Sequence, residues 1–216
     1  VENLLLREFN RNDYVLPNKP AEGAYNEDEN QELKGALVLD PDIGLHTDPV
    51  VYLDFKSMYP SIFIAYNICP TTLVKSKTAL ETVKTPYGTE FVSKTVKEGI
   101  IPMILKHLIN ERDKVRYESK KSDDKNVKRL LEAKQLALKI MTNAFYGYTG
   151  YLRARLYVLE IANTITGCGR FLINKTKDII ESKFEHKVVY GDTDSIMVKI
   201  KTNNIETAYE AGKKVE

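Results

Sequence analysis

The chain has 216 residues, of which 43% are hydrophobic and 29% charged, and a formal net charge of +2, values typical of an ordinary globular protein. No apolar run approaches the roughly 18 residues that a membrane-spanning helix needs, and the first residues show no signal-peptide pattern. The spacing of Cys69 and Cys168 excludes a cysteine-based metal or redox motif and favours reduced structural thiols.

Charge is unevenly distributed along the chain. Residues 1–60 contain 12 acidic and 5 basic side chains, whereas residues 94–139 contain 13 basic and 7 acidic ones. A basic segment of this kind is usually a solvated helix face, and it is also what a surface that binds a polyanion requires. Charge alone leaves both interpretations open.

The first half of the chain is predicted to alternate short elements with loops. Residues 1–12 favour a helix, and residues 13–32 are rich in Pro, Asn, Gly and acidic residues, which is typical of a surface loop. The further predictions are a short strand at 34–39, a buried strand at 50–55, a helix that starts near Pro60 and an irregular or hairpin-like segment at 70–99.

The second half is dominated by helices. Apolar residues at helical spacing predict two long helices over 100–147, joined by a polar turn at 118–126 into an antiparallel hairpin. The apolar stripe of the second of these helices consists of Val127, Leu130, Leu131, Leu138 and Met141. A third helix over about 158–183 and a β-hairpin at 188–198 complete an α+β core from which the helical pair protrudes.

The hairpin sequence VVYGDTDSIMV places Asp192 and Asp194 where two apolar strands meet. An ordinary tight turn is one explanation. In an extended backbone, however, residues two apart face the same way, and like charges held close raise each other's pKa unless a cation lies between them. Asp54, at the end of the predicted strand 50–55, is either a strand-end cap or a third carboxylate of the same site.

If the strand 50–55 pairs beside the hairpin, Asp54, Asp192 and Asp194 converge, and such a cluster requires cations. Oxygen ligands without His or Cys favour Mg²⁺ or Mn²⁺ over zinc. Two such ions about 3.5–4 Å apart can support phosphoryl transfer.

The helix pair carries side chains suited to phosphate. A polar stripe on the second helix is formed by Gln135, Lys139, Thr142, Asn143 and Tyr146, and Gly147 ends that helix. A solvated face is the usual explanation, but here an amide and an aromatic ring replace the usual mixture of Glu and Lys. Arg112 interrupts the apolar stripe of the first helix, so that Arg112 and Lys139 are candidates to grip a polyphosphate.

In DFKSMYPSI the chain turns from strand to helix directly after Asp54. This turn leaves backbone N–H groups near Ser57, Met58 and Tyr59, and such groups bind anions. Tyr59 is either packed in the core or placed beside the metal-binding acid.

The segments DFKSMYPSI, KIMTNAFYG and YGDTDS, in this order, closely resemble motifs A, B and C of the family B DNA polymerases. NKP at 18–20, the helix IPMILKHLINERDKVR and GYTGYLRAR at 147–155 are most similar to the archaeal replicative members. The resemblance covers nearly the whole chain and implies a palm, an antiparallel sheet packed on helices, with an inserted helical-hairpin fingers subdomain. The implied divisions are an N-terminal segment 1–49, palm with motif A 50–99, fingers with motif B 100–147 and palm with motif C 148–216.

The resemblance implies a DNA-directed DNA polymerase that transfers dNMP from a dNTP to a primer 3′-OH and releases pyrophosphate, in replication or repair. It implies catalytic roles for Asp54, Asp192 and Asp194, with two Mg²⁺ ions, replaceable by Mn²⁺, held by Asp54, Asp194 and the Phe55 backbone. Tyr59 would be the steric gate against a 2′-OH. Contacts to the incoming nucleotide are implied for Ser57, Met58, Tyr59, Arg112, Lys139, Asn143, Tyr146 and Gly147.

The chain departs from the family pattern at several positions. Met58 replaces the commoner Leu, Ala144 replaces Ser, and Leu33 replaces the Tyr of a Tyr-x-Gly-Gly/Ala element that helps to switch between synthesis and editing. An exonuclease domain would precede Val1 and a thumb would follow Glu216, so we expect a piece of a longer protein with little or no activity alone. The implied partners are primer-template DNA, dNTP, the exonuclease and thumb domains and a sliding clamp; the implied location is intracellular, cytoplasmic and nucleoid-associated if the source is archaeal.

Two other classes of function stay open at this point. One is a catalytically inactive scaffold or DNA-binding subunit, although inactive relatives tend to lose the metal-binding acids, which are all present here. The other is a two-metal nuclease, which needs clustered carboxylates but not the helix bearing Lys139, Asn143 and Tyr146, nor a gate at Tyr59.

Overall fold

The computed structural model describes residues 1–19 and 32–215. Six helices and six strands follow one another in these ranges, and they confirm an α+β fold with an antiparallel sheet. Their bounds are α1 Glu2–Arg11, β1 Val38–Leu39, β2 Val50–Asp54, α2 Met58–Ala65, β3 Thr82–Lys84, β4 Glu90–Val92, α3 Ile100–Lys121, α4 Lys125–Thr149, α5 Leu159–Lys183, β5 Lys187–Asp192, β6 Ser195–Lys199 and α6 Ile205–Val215. Most of the predicted loop 13–32 and the end of the NKP segment lie outside the described residues. No helix in the described ranges has the length and hydropathy to cross a membrane.

The chain forms two compact units. The first unit comprises Val1–Leu33 and Tyr59–Ile165, and the second comprises Lys34–Met58 and Thr166–Glu216.

The second unit is built on a four-stranded antiparallel sheet in the order β1-β5-β6-β2. One face of β6 is buried, with Ile196 and Val198 at 2% and 0% exposure, while Met197 between them is exposed. This alternation is the pattern of a sheet that packs on one face only. On the packed side, α6 approaches β2 closely enough that a Cβ on Gly212 would lie 2.8 Å from Val51.

The prediction of a buried strand at 50–55 was wrong in one respect. β2 exists, but it is the edge strand of the sheet, and Val50, Tyr52 and Asp54 on one of its faces are exposed. The β-branched and aromatic residues that favour a strand do not distinguish a central strand from an edge strand that packs on a single face.

In the first unit, α3 and α4 form the predicted antiparallel hairpin. The prediction that Gly147 ends the second helix was wrong, because Gly147 does not adopt a left-handed conformation and α4 continues to Thr149. The turn is shorter than predicted, because α3 continues to Lys121 and Asp124 caps α4. Oδ1 of Asp124 accepts hydrogen bonds from the amides of Asn126 and Val127 at 2.7 and 3.3 Å. Such a side-chain cap satisfies donors that the first turn of a helix cannot pair.

The apolar stripe predicted for the second helix is not its buried face. Leu130 is 70% exposed, and no residue of α4 before Thr142 is fully buried. Two helices share a single seam, so the outward apolar side chains of α4 have no second layer of the described chain to pack against.

A buried polar residue supports the start of α3. Asn67, 2% exposed, donates to the carbonyls of Val92 and Lys97 at 2.7 and 2.8 Å and accepts from the amide of Gly99 at 2.8 Å. Gly99 is the residue that precedes α3. A Cβ at Gly99 would lie 2.8 Å from Cys69, so the close approach of these two segments requires glycine.

Candidate active site

Two of the three predicted acids, Asp54 and Asp194, lie next to each other at one end of the sheet of the second unit. Asp54 is the last residue of β2, and the next amide, that of Phe55, donates a hydrogen bond of 2.8 Å to the carbonyl of Asp194. The strand that carries Asp54 therefore pairs beside the hairpin that carries Asp194, which is the condition that the sequence argument set for bringing these acids together.

Asp192 lies one strand further away on the same face. Asp192 is opposite Ser195, and Ser195 is opposite Asp54. Residues directly opposite in antiparallel strands share one face of the sheet, and two strand spacings amount to roughly 10 Å. Asp54 and Asp192 therefore flank Ser195, whose hydroxyl donates to the Asp192 carbonyl at 3.2 Å.

The sequence argument assumed that Asp192 and Asp194 lie in one extended strand. The structure contradicts this assumption. Asp192 ends β5, and Thr193 and Asp194 form the turn before β6. Thr193 has a φ of +55°, and across it the Asp194 amide donates to the Asp192 carbonyl at 2.6 Å. This is a γ-turn of the rare positive-φ kind, and a β-branched residue in such a turn is strained.

The strained turn is held from both sides by other strands or their extensions. The Thr193 amide donates to the Leu37 carbonyl at 2.9 Å, just before β1, and the Asp194 carbonyl accepts from Phe55, just after β2. Within the turn, the Thr193 hydroxyl donates to Asp192 Oδ1 at 2.8 Å. Backbone strain persists only where surrounding contacts enforce it, and it is concentrated at functional sites.

In residues 1–19 and 32–215, no three His, Cys, Asp or Glu side chains lie close enough to hold a metal ion. The three acids share one end of the sheet but do not converge into a single cluster, because Asp192 is one strand further from Asp54. This arrangement still suits Mg²⁺, which is usually held by one or two carboxylates together with substrate phosphates and water. The pair Asp54 and Asp194 fits that donor set.

The turn that follows Asp54 is also strained. Ser57 has a φ of +53°, and α2 begins at the next residue, Met58, whose side chain is 3% exposed. The left-handed conformation of Ser57 ends the extended backbone after β2, directly before the first residue of α2. The predicted change from strand to helix at Ser57 and Met58 is confirmed, while their contact with a nucleotide stays a prediction.

In the first unit, the predicted gate residue Tyr59 packs against a residue of α4. The rings of Tyr59 and Tyr146 have centroids 4.6 Å apart at an interplanar angle of 47°. Both side chains are half-buried. Tyr59 therefore contacts a residue of the segment KIMTNAFYG, and each ring restricts the rotamers of the other.

The polar stripe predicted on the second helix straddles the edge of the α3–α4 seam. Lys139, Asn143 and Gly147 are exposed, Gln135 and Tyr146 are half-buried, and Thr142 is 3% exposed. The Thr142 hydroxyl donates to the Leu138 carbonyl at 2.6 Å, which satisfies it within the helix. Thr142 thus belongs to the seam, whereas Lys139 and Asn143 face outward.

Arg112 crosses the seam to the polar stripe. Its Nε donates to Oε1 of Gln135 at 3.4 Å, one turn of α4 before Lys139. This long hydrogen bond links the guanidinium to the polar stripe of α4, and the contact of Arg112 with phosphate stays a prediction.

Next to Gly147, burial raises the pKa of the Tyr148 hydroxyl, and the Glu2 carboxylate raises it further. Glu2 itself accepts a hydrogen bond of 2.9 Å from Nε of Arg155. Tyr148 is therefore neutral across the physiological pH range, and the ion pair ties α1 to the segment that follows α4.

Sequence reasoning missed the residues that support the turn. Leu37 acts through its carbonyl, and Thr166 and Arg170 of α5 bind the segment that precedes Leu37, donating to the Lys34 carbonyl at 2.7 and 3.3 Å. A carbonyl leaves no signal in a sequence. No motif marked Thr166 and Arg170 in the sequence, where they are visible only as a Thr and an Arg one helical turn apart.

Comparison with known proteins gives a consistent assignment. The sequence profile of DNA polymerase family B matches residues 1–216. The DNA polymerase delta catalytic subunits of Plasmodium falciparum and Candida albicans are 41% and 38% identical over 99% and 96% of this chain, which spans 21% of each of those proteins. The chain thus spans about a fifth of the length of these relatives.

A solved structure agrees with the sequence relatives. The family B DNA polymerase from the hyperthermophilic archaeon Pyrobaculum calidifontis superimposes with a TM-score of 0.74 and 36% identity, over 99% of this chain and 27% of that one. Because eukaryotic and archaeal relatives have similar identities, the archaeal type stays a prediction. With motifs A, B and C in order, the matching fold and the profile match over the full length, the chain belongs to the family B DNA polymerases.

Proposed function

We propose that this chain is the palm and fingers portion of a DNA-directed DNA polymerase, which transfers dNMP from a dNTP to a primer 3′-OH and releases pyrophosphate. The observation that carries the proposal is the hydrogen bond from Phe55 to Asp194, because it makes the acids of motifs A and C neighbours. A scaffold without catalytic function would have no need to retain both acids or the strained turn between Asp192 and Asp194.

The acids would hold two Mg²⁺ ions, for which Mn²⁺ can substitute. In this proposal Asp54 and Asp194 are direct ligands, the Phe55 carbonyl completes the protein donors, and Asp192 supports the turn. When bound, the ions supply activation of the attacking oxygen and stabilisation of the leaving pyrophosphate. The residues present fit this group, since the carboxylate and carbonyl oxygens are the hard ligands that Mg²⁺ prefers.

The nucleotide would be bound by side chains of the fingers and by the turn after Asp54. Arg112, Lys139 and Asn143 are suited to the triphosphate, since a guanidinium, an ammonium and the NH₂ group of an amide each donate hydrogen bonds to phosphate oxygens. The backbone at Ser57 and Met58 offers N–H groups to phosphate oxygens. Tyr59, braced by Tyr146, would exclude a ribose 2′-OH, and Tyr146 and Gly147 would lie against the nascent base pair.

Because the relatives are much longer than this chain, the proposal also covers the complete polymerase of which this chain would be a part. We propose the divisions 1–49, 50–99, 100–147 and 148–216 as N-terminal segment, motif A palm, fingers and motif C palm. The complete enzyme would add exonuclease and thumb domains, bind primer-template DNA and dNTP, engage a sliding clamp and act inside the cell in replication. Without those domains we expect the chain alone to bind DNA weakly and to have little activity.

The test is single-nucleotide primer extension by the complete polymerase that contains this chain. The expected result is template-directed incorporation of the complementary dNTP that requires Mg²⁺ or Mn²⁺. Release of nucleotides from DNA without any consumption of dNTP would instead identify a nuclease. Binding of primer-template without either reaction would identify an inactive scaffold, and both results contradict the proposal.

A further inference from the structure

The segment Lys34–Leu39, here called the strap, is fixed to α5 by side chains of that helix. The hydroxyl of Thr166, 1% exposed, donates to the Lys34 carbonyl at 2.7 Å. Nη1 of Arg170, one turn further along α5, donates to the carbonyls of Lys34 and Gly35. These contacts explain why the strand predicted over 34–39 is reduced to Val38–Leu39: the earlier carbonyls pair with side chains instead of with a strand.

The other end of the strap supports the strained turn between two catalytic acids. The Leu37 carbonyl accepts the Thr193 amide at 2.9 Å, and Val38 and Leu39 pair with Asp192 and Gly191. The contact with Gly191 is close, since a Cβ there would lie 2.8 Å from Leu39 Cδ1. The strap therefore connects α5 with the turn through consecutive residues of the second unit.

The turn needs such support. Thr193 is held at a φ of +55°, a conformation that a β-branched residue adopts only when its surroundings enforce it. On the side of β1, the Thr193 amide donates to the Leu37 carbonyl. The position of that carbonyl depends on the contacts that anchor Lys34 and Gly35. Loosening the anchor would let Thr193 relax toward negative φ and so rotate Asp194.

We propose that Thr166 and Arg170 are positioning residues for nucleotidyl transfer, which act through the strap to hold Asp194 in its ligating orientation. The inference rests on the proposed function, since it assigns Thr166 and Arg170 to the same site. Neither side chain contacts the reacting atoms. Their removal should lower the rate of chemistry and leave nucleotide affinity unchanged, because the residues proposed to bind the triphosphate are on other elements.

The test compares Thr166→Val and Arg170→Met, which keep side-chain size and lose the donors, in the complete polymerase. Primer extension gives kcat and KM for dNTP, and hydrogen exchange of a peptide that contains Thr193 reports on the turn. The expected result is a kcat lower by about 10- to 100-fold, the range for a misplaced catalytic group, with KM unchanged and faster exchange of the Thr193 amide. Thr166→Ser, which retains the hydroxyl, should restore both readouts. Lys175→Ala, at an exposed position on the same helix, should change neither.

The outcomes separate this role from a merely structural one and from the function itself. A role in folding alone would accelerate exchange throughout the core strands and would leave the specific activity of the folded fraction unchanged, which contradicts the proposal. If the wild-type enzyme is active and the variants keep its kcat, or its rate of hydrogen exchange at Thr193, the positioning role is refuted and the proposed function is not. Failure of the wild-type polymerase to extend primers refutes the proposed function, and this role with it.

Discussion

The amide of Phe55 donates a hydrogen bond of 2.8 Å to the carbonyl of Asp194. These residues are far apart in the sequence, and each adjoins or belongs to a segment that resembles a polymerase motif. The bond continues the pairing of β2 with β6 by one residue beyond Asp54 and Ser195. The backbone thus fixes the positions of Asp54 and Asp194 relative to each other along the two strands.

Replacing Asp194 by Asn is expected to abolish primer extension, with a loss of about 10³-fold or more, because the amide keeps the shape but removes the anionic ligand. DNA binding should be retained. The measurement is single-turnover incorporation in the complete polymerase, with a gel-shift assay for DNA. Asp178→Asn, at an exposed position of α5, is the matched control and should extend normally. Extension by Asp194→Asn at the wild-type rate would show that Asp194 is not a metal ligand.

Replacing Tyr59 by Ala is expected to raise ribonucleotide incorporation relative to deoxyribonucleotide incorporation, because it removes the ring that would clash with a 2′-OH. The ratio of kcat/KM values for rNTP and dNTP measures this effect. Tyr59→Phe keeps the ring and should preserve discrimination. Tyr146→Ala removes the neighbour 4.6 Å away and should relax discrimination partially, since Tyr59 would gain rotamer freedom. An unchanged ratio in Tyr59→Ala would exclude a gate at this position.

Adding a methyl group at two glycines is expected to change the free energy of unfolding by different amounts. At Gly191 the Cβ would lie 2.8 Å from Leu39 Cδ1 and 3.2 Å from the Ser195 carbonyl, so Gly191→Ala should destabilise the fold by about 1–3 kcal/mol. At Gly35 no atom lies within 4 Å of the added Cβ, so Gly35→Ala should be neutral or slightly stabilising. Urea denaturation measures both. Adding Leu39→Ala to Gly191→Ala removes the clashing side chain and should recover part of the stability lost at Gly191. Equal effects of Gly191→Ala and Gly35→Ala would contradict the close packing of the strap.

Replacing Asn67 by Ala is expected to lower the free energy of unfolding by about 2–5 kcal/mol, because two carbonyls and the amide of Gly99 would lose their partner inside the protein. Asn67 also has a φ of +55°, a conformation in which Ala is less favourable than Asn. Chemical denaturation followed by circular dichroism measures the loss. Asn126→Ala, at an exposed position near the start of α4, should stay within about 0.5 kcal/mol of wild type. A comparably small effect at Asn67 would show that these hydrogen bonds contribute little to stability.

The sequence predicted the elements that carry the site better than the contacts that shape it. The apolar run before Asp54 and the turn residues around Gly191 predicted β2 and the β5–β6 hairpin, because strand periodicity and turn chemistry are local properties. The pairing of β2 with β6 is not local, and the sequence argument contained it only as a condition. The exposure of β2 and of Leu130 was not predictable from composition, since both depend on how many layers the fold supplies. A β-branched residue such as Thr disfavours a positive φ. Thr193 nevertheless adopts one, because tertiary contacts from Leu37 and Phe55 hold the γ-turn.

The location of bound Mn²⁺ tests the central claim most directly. Crystals of the complete polymerase with primer-template and a non-hydrolysable dNTP analogue, soaked with Mn²⁺, would reveal the metal by anomalous scattering. We expect carboxylate oxygens of both Asp54 and Asp194 to coordinate the same Mn²⁺, at about 2.0–2.1 Å by analogy with Mg²⁺. Mn²⁺ bound elsewhere, or ligated by only one of these acids with the fold intact, would contradict the account.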